Sequence, residues 1–89
     1  MKLVLCSIYD SAVQTYSPPF CVRGIGLAYR DFRFEVRNKD SRISKSAGDY
    51  ALFVLGEFDD EACSFTLLDA PRRMMTGLDA LKEDPINEG

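Results

Sequence analysis

The chain has 89 residues, of which 46% are hydrophobic and 11% aromatic, and this composition indicates one folded domain rather than a disordered chain. It contains no histidine, and its three cysteines are widely spaced, which argues against a structural zinc site and against histidine-dependent catalysis. No apolar run approaches the roughly 20 residues that span a bilayer, so we expect no contact with a membrane.

The cysteines and the first residues indicate a reducing compartment. Cys6, Cys21 and Cys63 are odd in number and form no Cys-x-x-Cys pair, so we expect free and mostly buried thiols. The opening segment is too short for a secretion signal and lacks a small-residue cleavage site. The protein is therefore expected in the cytosol.

The first predicted strand covers residues 2–9. Leu3 and Val4, like the residues that follow them, place apolar side chains on opposite faces, which is typical of a strand inside a sheet. Pro18 and Pro19 come soon after it, and proline cannot donate a hydrogen bond to a neighbouring strand. Any returning strand in this region is therefore expected to be brief or at an edge.

Residues 24–38 are the best helix candidate, with regular turns expected from about Gly26. A stripe roughly 100° wide has the spacing of a face that lies on a core. This stripe consists of Ile25, Ala28, Tyr29, Phe32 and Val36. A second stripe, about 100° away on the helical wheel, consists of Arg30, Arg33 and Arg37. Leu27 and Phe34 lie nearly opposite the core stripe.

The outward position of Phe34 leaves three alternatives open. Beside the arginines, it offers a surface on which a nucleic-acid base can stack. It also suits a dimer interface, where aromatic residues are enriched. The third alternative is that the following loop covers it.

The positive charge of the chain is concentrated in residues 23–45. This segment holds seven of the eleven basic residues and carries about +4, while the remainder carries about −7. The candidate phosphate-binding side chains are Arg30, Arg33, Arg37, Lys39, Arg42 and Lys45. Lys39, Arg42 and Lys45 follow the helix, and the alternative interpretation is that they belong to a solvated polar loop over residues 38–49.

Residues 50–58 form the strongest predicted strand, which is apolar on both faces and therefore central. A turn leads into residues 62–68, which alternate as a half-buried strand does, so we expect an antiparallel hairpin. The turn contains Asp59, Asp60 and Glu61, which we interpret as solvated turn carboxylates rather than as cation ligands. No metal or other cofactor is expected.

The order strand, short return, helix, strand, strand predicts a small α+β domain over residues 1–68. Its one helix packs on a three- to four-stranded, mainly antiparallel sheet. Residues 69–89 are expected to form a partly irregular C-terminal arm, with a helical turn at 78–82 and a frayed end at 84–89. Both main strands look apolar on both faces, so the second face of the sheet needs cover. A homodimer is the preferred source of that cover, and the arm is the alternative.

The sequence resembles the small nonstructural protein of gokushoviruses, which are single-stranded DNA phages of the microvirus group. The similarity covers about residues 2–60. Its most specific part runs from Asp49-Tyr50 through Leu55-Gly56 to Phe58-Asp59. Supporting parts are Tyr9-Asp10-Ser11, Tyr16, Pro19-Phe20 and residues 24–32. The resemblance implies a protein of the host cytoplasm that is absent from the virion, acts in viral DNA synthesis or packaging, and is described as DNA-binding.

Two functions follow as hypotheses. The first is a dimeric module that binds single-stranded DNA weakly, without sequence preference and with steep salt dependence, through the six basic residues and Phe34. The second is a dimeric adaptor for viral or host replication proteins or for capsid proteins, without DNA contact. An enzyme is not expected, because no nucleophile lies beside a general base in any motif of the chain.

Overall fold

A computed structural model describes residues 1–82. The strands are β1 (Lys2–Asp10), β2 (Thr15–Tyr16), β3 (Phe20–Val22), β4 (Tyr50–Asp59) and β5 (Ser64–Thr76). The helices are α1 (Ile25–Arg37), α2 (Arg42–Lys45) and α3 (Gly77–Lys82), with a 3₁₀ turn at Ala47–Asp49. The predicted frayed end at residues 84–89 lies outside the described residues.

The strands form one curled antiparallel sheet in the order β2-β1-β4-β5, with β3 also paired to β1. β1 and β4 are the two central strands and pair along their whole length, from Lys2 opposite Asp59 to Asp10 opposite Tyr50. The prediction that both strands are central is confirmed. Together with the single main helix, the sheet confirms the predicted α+β class.

The return from β1 is brief and lies at the edge of the sheet, as the two prolines predicted. β2 has two residues and β3 has three, and the segment with Pro18 and Pro19 separates them. Ser7 ties this segment to β1, because its hydroxyl donates to the carbonyl oxygen of Ser17 at 2.8 Å. That bond satisfies the one buried polar side chain of the core within residues 1–82.

The main helix packs its predicted stripe on the sheet. Ala28, Phe32 and Val36 are each at most 3% exposed and contact Cys6 and Leu52 in one cluster. Full burial of a side chain such as Phe32 contributes roughly 1.5–3 kcal/mol. The core face of α1 is therefore the one that its sequence period predicted. Gly24, at the N-cap, offers no side-chain hydrogen bond.

The polar loop predicted at residues 38–49 is more ordered than expected. It contains α2 and the 3₁₀ turn, and the Ser41 hydroxyl caps α2 by accepting a hydrogen bond from the Ile43 backbone N–H at 3.2 Å. Ile43 packs against the core, and Ala47 is buried in it. These two apolar residues anchor a segment whose composition otherwise resembles a solvated connection.

β5 does not end at Leu68, where the sequence predicted a stop, but continues to Thr76, so residues 72–76, which were expected as an extended arm, belong to the sheet. Val54 pairs with Arg72, whereas Gly56 pairs with Leu67, so residues 68–71 form a large bulge opposite Leu55. Asp69, Ala70 and Pro71 interrupt the ladder there without ending the strand. Beyond the bulge, Met75 is 8% exposed and belongs to the core.

The predicted helical turn near residue 78 is α3, which begins after a reciprocal cap. The Thr76 hydroxyl accepts a hydrogen bond from the Asp79 N–H at 3.0 Å, and the Asp79 carboxylate accepts one from the Thr76 N–H at 3.1 Å. Ala80 is fully buried in the core cluster. Residues 72–82 are thus part of the same packed body as residues 1–68.

Candidate nucleic-acid interface

Helix α1 has four faces, of which one is buried, one is apolar and exposed, one is basic and one is acidic. Its buried stripe faces the sheet, and Phe34 points the opposite way with 67% of its surface exposed. At 100° per residue, Arg30, Arg33 and Arg37 share one flank of the helix. Asp31 and Glu35 share the other flank. We call these the arginine flank and the acidic flank.

The arginine flank faces α3. The guanidinium Nη2 of Arg37 donates a hydrogen bond to the carbonyl oxygen of Ala80 at 2.9 Å, and Arg37 itself is half-buried. A cation at this position also complements the partial negative charge at a helix C-terminus. Arg37, predicted only as a phosphate ligand, therefore joins α1 to α3.

Arg30 and Phe34 are the most accessible members of the predicted set on α1. Arg30 is 71% exposed, and its Nε lies 4.0 Å from the carboxylate of Asp31, which is itself 68% exposed. An ion pair so long and so exposed is weak and easily screened. Arg30 and Phe34 are separated by four residues, so they are neighbours on the helix surface. Arg33, the third member of the arginine flank, is half-buried.

The remaining predicted basic residues lie elsewhere. Ile43 of α2 lines a groove together with Asp31 and Glu35, so α2 lies beside the acidic flank. Arg42 lines a cavity of about 410 Å³ between α2 and the β1–β2 turn. Lys39, in the turn after α1, and Lys45, at the end of α2, are exposed. The six basic residues therefore form two groups on opposite sides of α1, connected by the turn that carries Lys39.

Arg42 is electrostatically connected to the phenol of Tyr50. Burial raises the pKa of Tyr50, the carboxylate of Asp10 raises it further, and the positive charge of Arg42 acts against both. These three residues line the same cavity. Arg42 thus has acidic and aromatic neighbours, whereas the arginine flank has the apolar surface of Phe34 beside it.

The fold places two further arginines in surface grooves. Arg72 pairs with Val54 on the face that α1 covers, and it lines a groove of about 370 Å³ with Ile25 at the start of that helix. Arg73 pairs with Phe53 on the opposite face. The Arg72-Arg73 pair is visible in the sequence, but only a strand that continues past residue 71 sends the two side chains to opposite faces.

Aromatic rings cluster on the sheet face opposite α1. The ring centroids of Tyr9 and Tyr16 are 4.7 Å apart, and Phe53 lies 5.9 Å from Tyr9 and 5.4 Å from Tyr16. Arg73 lines a groove of about 230 Å³ with Tyr9 and Phe53. Such edge and tilted contacts stabilise the cluster itself. It combines aromatic faces with a guanidinium group and is a second basic and aromatic surface.

The hairpin carboxylates behave as turn residues. The carboxylate of Asp59 accepts hydrogen bonds from the backbone N–H groups of Glu61 at 3.0 Å and Ala62 at 3.4 Å. These bonds lower the pKa of Asp59 below its usual value. Within residues 1–82, no three cysteine or carboxylate side chains are placed to hold a metal ion together.

The cysteines are free, as predicted, but they are not mostly buried. Cys6 is in the core, whereas Cys21 and Cys63 are exposed. Desolvation raises the pKa of the Cys6 thiol to about 11. The alternation of apolar and polar residues did not predict that these two cysteines are exposed. Cys21 lies on a short edge strand, and Cys63 lies in the hairpin turn. No helix in residues 1–82 has the length and hydrophobicity to span a bilayer.

These features define a class of small α+β domain, in which one main helix covers one face of a curled antiparallel sheet and basic and aromatic side chains lie at the surface. Residues 3–80 match the sequence model of a family described as phage ORF5 protein, and the chain belongs to that family. The part of the resemblance that concerns a bacteriophage protein is thereby confirmed. Comparison with curated proteins and with solved structures found no significant match.

Proposed function

We propose that this phage protein is a non-enzymatic module that binds single-stranded DNA without sequence preference and acts in viral DNA synthesis or packaging. This is the nonstructural role implied by the resemblance to gokushoviruses. The protein then works in the host cytoplasm, outside the virion and away from membranes. Its chemistry is binding alone, and it uses no cofactor.

The observation that carries the proposal is that Arg30 and Phe34 are neighbours on the exposed surface of α1. The two side chains are 71% and 67% exposed and occupy neighbouring positions on α1. Single-stranded DNA requires one cationic group for a phosphate and one aromatic face for an unstacked base, at adjacent positions. Arg33, on the same flank, adds positive potential beside them. Neither contact reads a base edge, so the binding is sequence-tolerant.

The second group of basic residues extends the contact. Lys39 lies in the turn after the C-terminal end of α1, and Arg42 and Lys45 belong to α2, which lies beside the acidic flank. A DNA strand that runs along α1 past Phe34 toward the end of the helix reaches Lys39 first and then the cations of α2. Few phosphates are neutralised in this arrangement, so the affinity is modest and falls steeply with salt.

A dimeric adaptor is the second candidate function, and the surface of α3 favours it. Leu78 is 53% exposed and Leu81 is 49% exposed on this short helix. Exposed apolar side chains beside a polar rim are suited to a protein partner. A viral or host replication protein, or a capsid protein, is the partner class in this alternative.

Two single substitutions in α1 separate the candidates. Arg30→Ala removes a phosphate contact, so it weakens binding to a labelled single strand and lowers the salt slope by about 0.7. Phe34→Ala removes stacking worth about 1–3 kcal/mol, so it weakens binding and leaves the salt slope unchanged. Both positions are exposed, so the fold is retained.

Lys2→Ala is the matched control. Lys2 carries the same charge as Arg30, is exposed, and pairs with Asp59 at the far end of β1. We expect its affinity to stay close to that of the wild type. An equal loss in Arg30→Ala and Lys2→Ala would indicate a response to net charge alone. Unchanged binding in the Arg30 and Phe34 variants would contradict the proposed site and favour the adaptor.

A further inference from the structure

The outer edge of the sheet is formed by β5. Within residues 1–82, this strand pairs only with β4, although it is 13 residues long. Alternate N–H and C=O groups along its other side point away from β4. A long open edge of this kind is a template for another strand, and natural proteins protect such edges with charges, prolines or bulges.

The protection on β5 is uneven. Its second half carries the large bulge, Pro71 and two arginines, and each of these features hinders pairing with a strand. Its first half, residues 64–68, contains no charge and no proline. In that stretch Phe65 is 60% exposed and Leu67 is 64% exposed. The unprotected stretch is therefore short and sharply bounded.

The apolar side chains of this stretch belong to one surface. Phe65 pairs with Phe58 and Leu67 pairs with Gly56, in register with Leu3 and Leu5 of β1. Val4, between them, packs in the core under α1, so Phe65 and Leu67 lie on the opposite face. The rings of Phe58 and Phe65 are 4.9 Å apart. Phe65 and Leu67 thus extend the apolar surface that Phe58, Leu3 and Leu5 form on this face of the sheet.

The pattern of the stretch suits pairing with itself. If two copies meet antiparallel with Thr66 at the two-fold axis, Phe65 lies opposite the partner's Leu67, and the same pair repeats on the other side. Aromatic and aliphatic cross-strand pairs of this kind are favourable. Ser64 then lies opposite the partner's Leu68. No like charges meet anywhere in these five positions.

In the antiparallel orientation, the charged groups that flank residues 64–68 in one copy lie near opposite charges in the other copy. The turn before β5 carries Asp60 and Glu61, which lie 2.8 Å and 3.6 Å from the Met1 ammonium. The segment after residue 68 carries Asp69, Arg72 and Arg73 and is net basic. Antiparallel pairing directs the acidic turn of one copy toward the basic segment of the other. A parallel arrangement would bring acid to acid and base to base. The remaining charges therefore favour the antiparallel orientation, and with it a second copy of the chain as the occupant.

We propose that the protein forms a homodimer by antiparallel pairing of residues 64–68 across a two-fold axis at Thr66. The pairing joins two five-stranded sheets edge to edge into one continuous sheet. It covers Phe65 and Leu67. It leaves Arg30 and Phe34 of each copy outside the interface, so the inference does not depend on the proposed DNA binding.

The test is the mass of the full chain in solution, measured by sedimentation equilibrium with a reducing agent present because Cys21 and Cys63 are exposed. We expect twice the 10.0 kDa chain mass for the wild type. Thr66→Lys places two like charges at the two-fold axis and should give the monomer mass. An equimolar mixture of Thr66→Lys and Thr66→Glu should restore the dimer, which tests the register directly.

Leu78→Lys is the control, because Leu78 is 53% exposed on α3 and lies outside the interface. It should remain dimeric. Circular dichroism verifies that each variant is folded. A monomeric wild type would overturn the proposal. So would a dimer that survives Thr66→Lys, or one that Leu78→Lys dissociates.

Discussion

Arg37 and Ala80 connect the main helix to the last described helix, because the guanidinium Nη2 of Arg37 donates to the Ala80 carbonyl at 2.9 Å. The bond joins residues 43 positions apart. It is partly buried, and Ala80 is fully buried. A residue chosen from the sequence for its charge therefore also stabilises the fold, and the two roles have to be separated by experiment.

The first prediction concerns this bond. Arg37→Ala should lower the free energy of unfolding by about 1.5–3 kcal/mol, which is typical for a lost hydrogen bond to a charged group. Arg30→Ala, on the same flank but exposed, should change it by less than about 0.5 kcal/mol. Urea unfolding of both variants measures the difference. Equal stabilities would show that the Arg37 contact contributes little.

The second prediction concerns Gly77, where α3 starts against the 3₁₀ turn. A Cβ atom at this position would lie 1.9 Å from the carbonyl oxygen of Ala47, so the backbone of one segment must move. Gly77→Ala should destabilise the protein by at least about 2 kcal/mol, as overpacking does.

Gly26→Ala is the matched control for that substitution. Nothing lies within 4 Å of a Cβ atom added there, in the first turn of α1. Alanine is the better helix former, so this variant should gain about 0.5 kcal/mol. Thermal unfolding of the two variants should shift in opposite directions, and parallel shifts would contradict the packing of α3 on Ala47.

The third prediction concerns the cap of α3. The pKa of Asp79 is lowered, first by the hydrogen bond from the Thr76 backbone N–H and then by the Thr76 side chain. A lowered folded-state pKa adds stability at pH values above the ordinary value of 3.8, and this stability is lost as the pH falls through the folded pKa. Asp79→Asn should therefore lower the urea midpoint at neutral pH and have less effect at about pH 2. An equal effect at both pH values would contradict the charged cap.

The fourth prediction concerns the distribution of charge. Residues 1–82 contain eleven basic and eleven acidic side chains, so Glu83, Asp84 and Glu88 account for the formal net charge of −3. Replacing these three by the corresponding amides removes a long-range repulsion of DNA. Affinity for a single strand should rise several-fold at low salt. It should change little above about 0.5 M salt, where screening acts within a few ångströms. An unchanged affinity at low salt would contradict this expectation.

Most of the fold follows from hydrophobic period and turn chemistry in the sequence. The period of α1 placed Phe32 and Val36 in the core, and the two-sided apolar pattern of β1 and β4 placed both strands at the centre. The course of β5 did not follow, because Asp69 and Pro71 look like a stop. They occupy a bulge, and the pairing of residues 72–76 with β4 is a tertiary effect that local pattern does not contain.

The candidate site was less predictable than the fold. Spacing placed Arg30 beside Phe34 on one exposed surface of α1. It did not show that Arg42 lies on the other side of the helix, because that depends on how Ile43 anchors α2 to the core. Nor did it show that Arg37 donates a hydrogen bond to Ala80, because Ala80 lies 43 positions further along the chain. Sequence spacing orders residues within an element and leaves the packing between elements open.

The central claim is that the surface around Arg30 and Phe34 binds single-stranded DNA. The most direct test is a fluorescence-anisotropy titration of a labelled oligonucleotide of about 30 nucleotides, at low and moderate salt and with a duplex as control. We predict saturable binding to the single strand that weakens steeply with salt and is stronger than binding to the duplex. No binding to the single strand at low salt would contradict the claim and leave the protein-binding adaptor as the function to pursue.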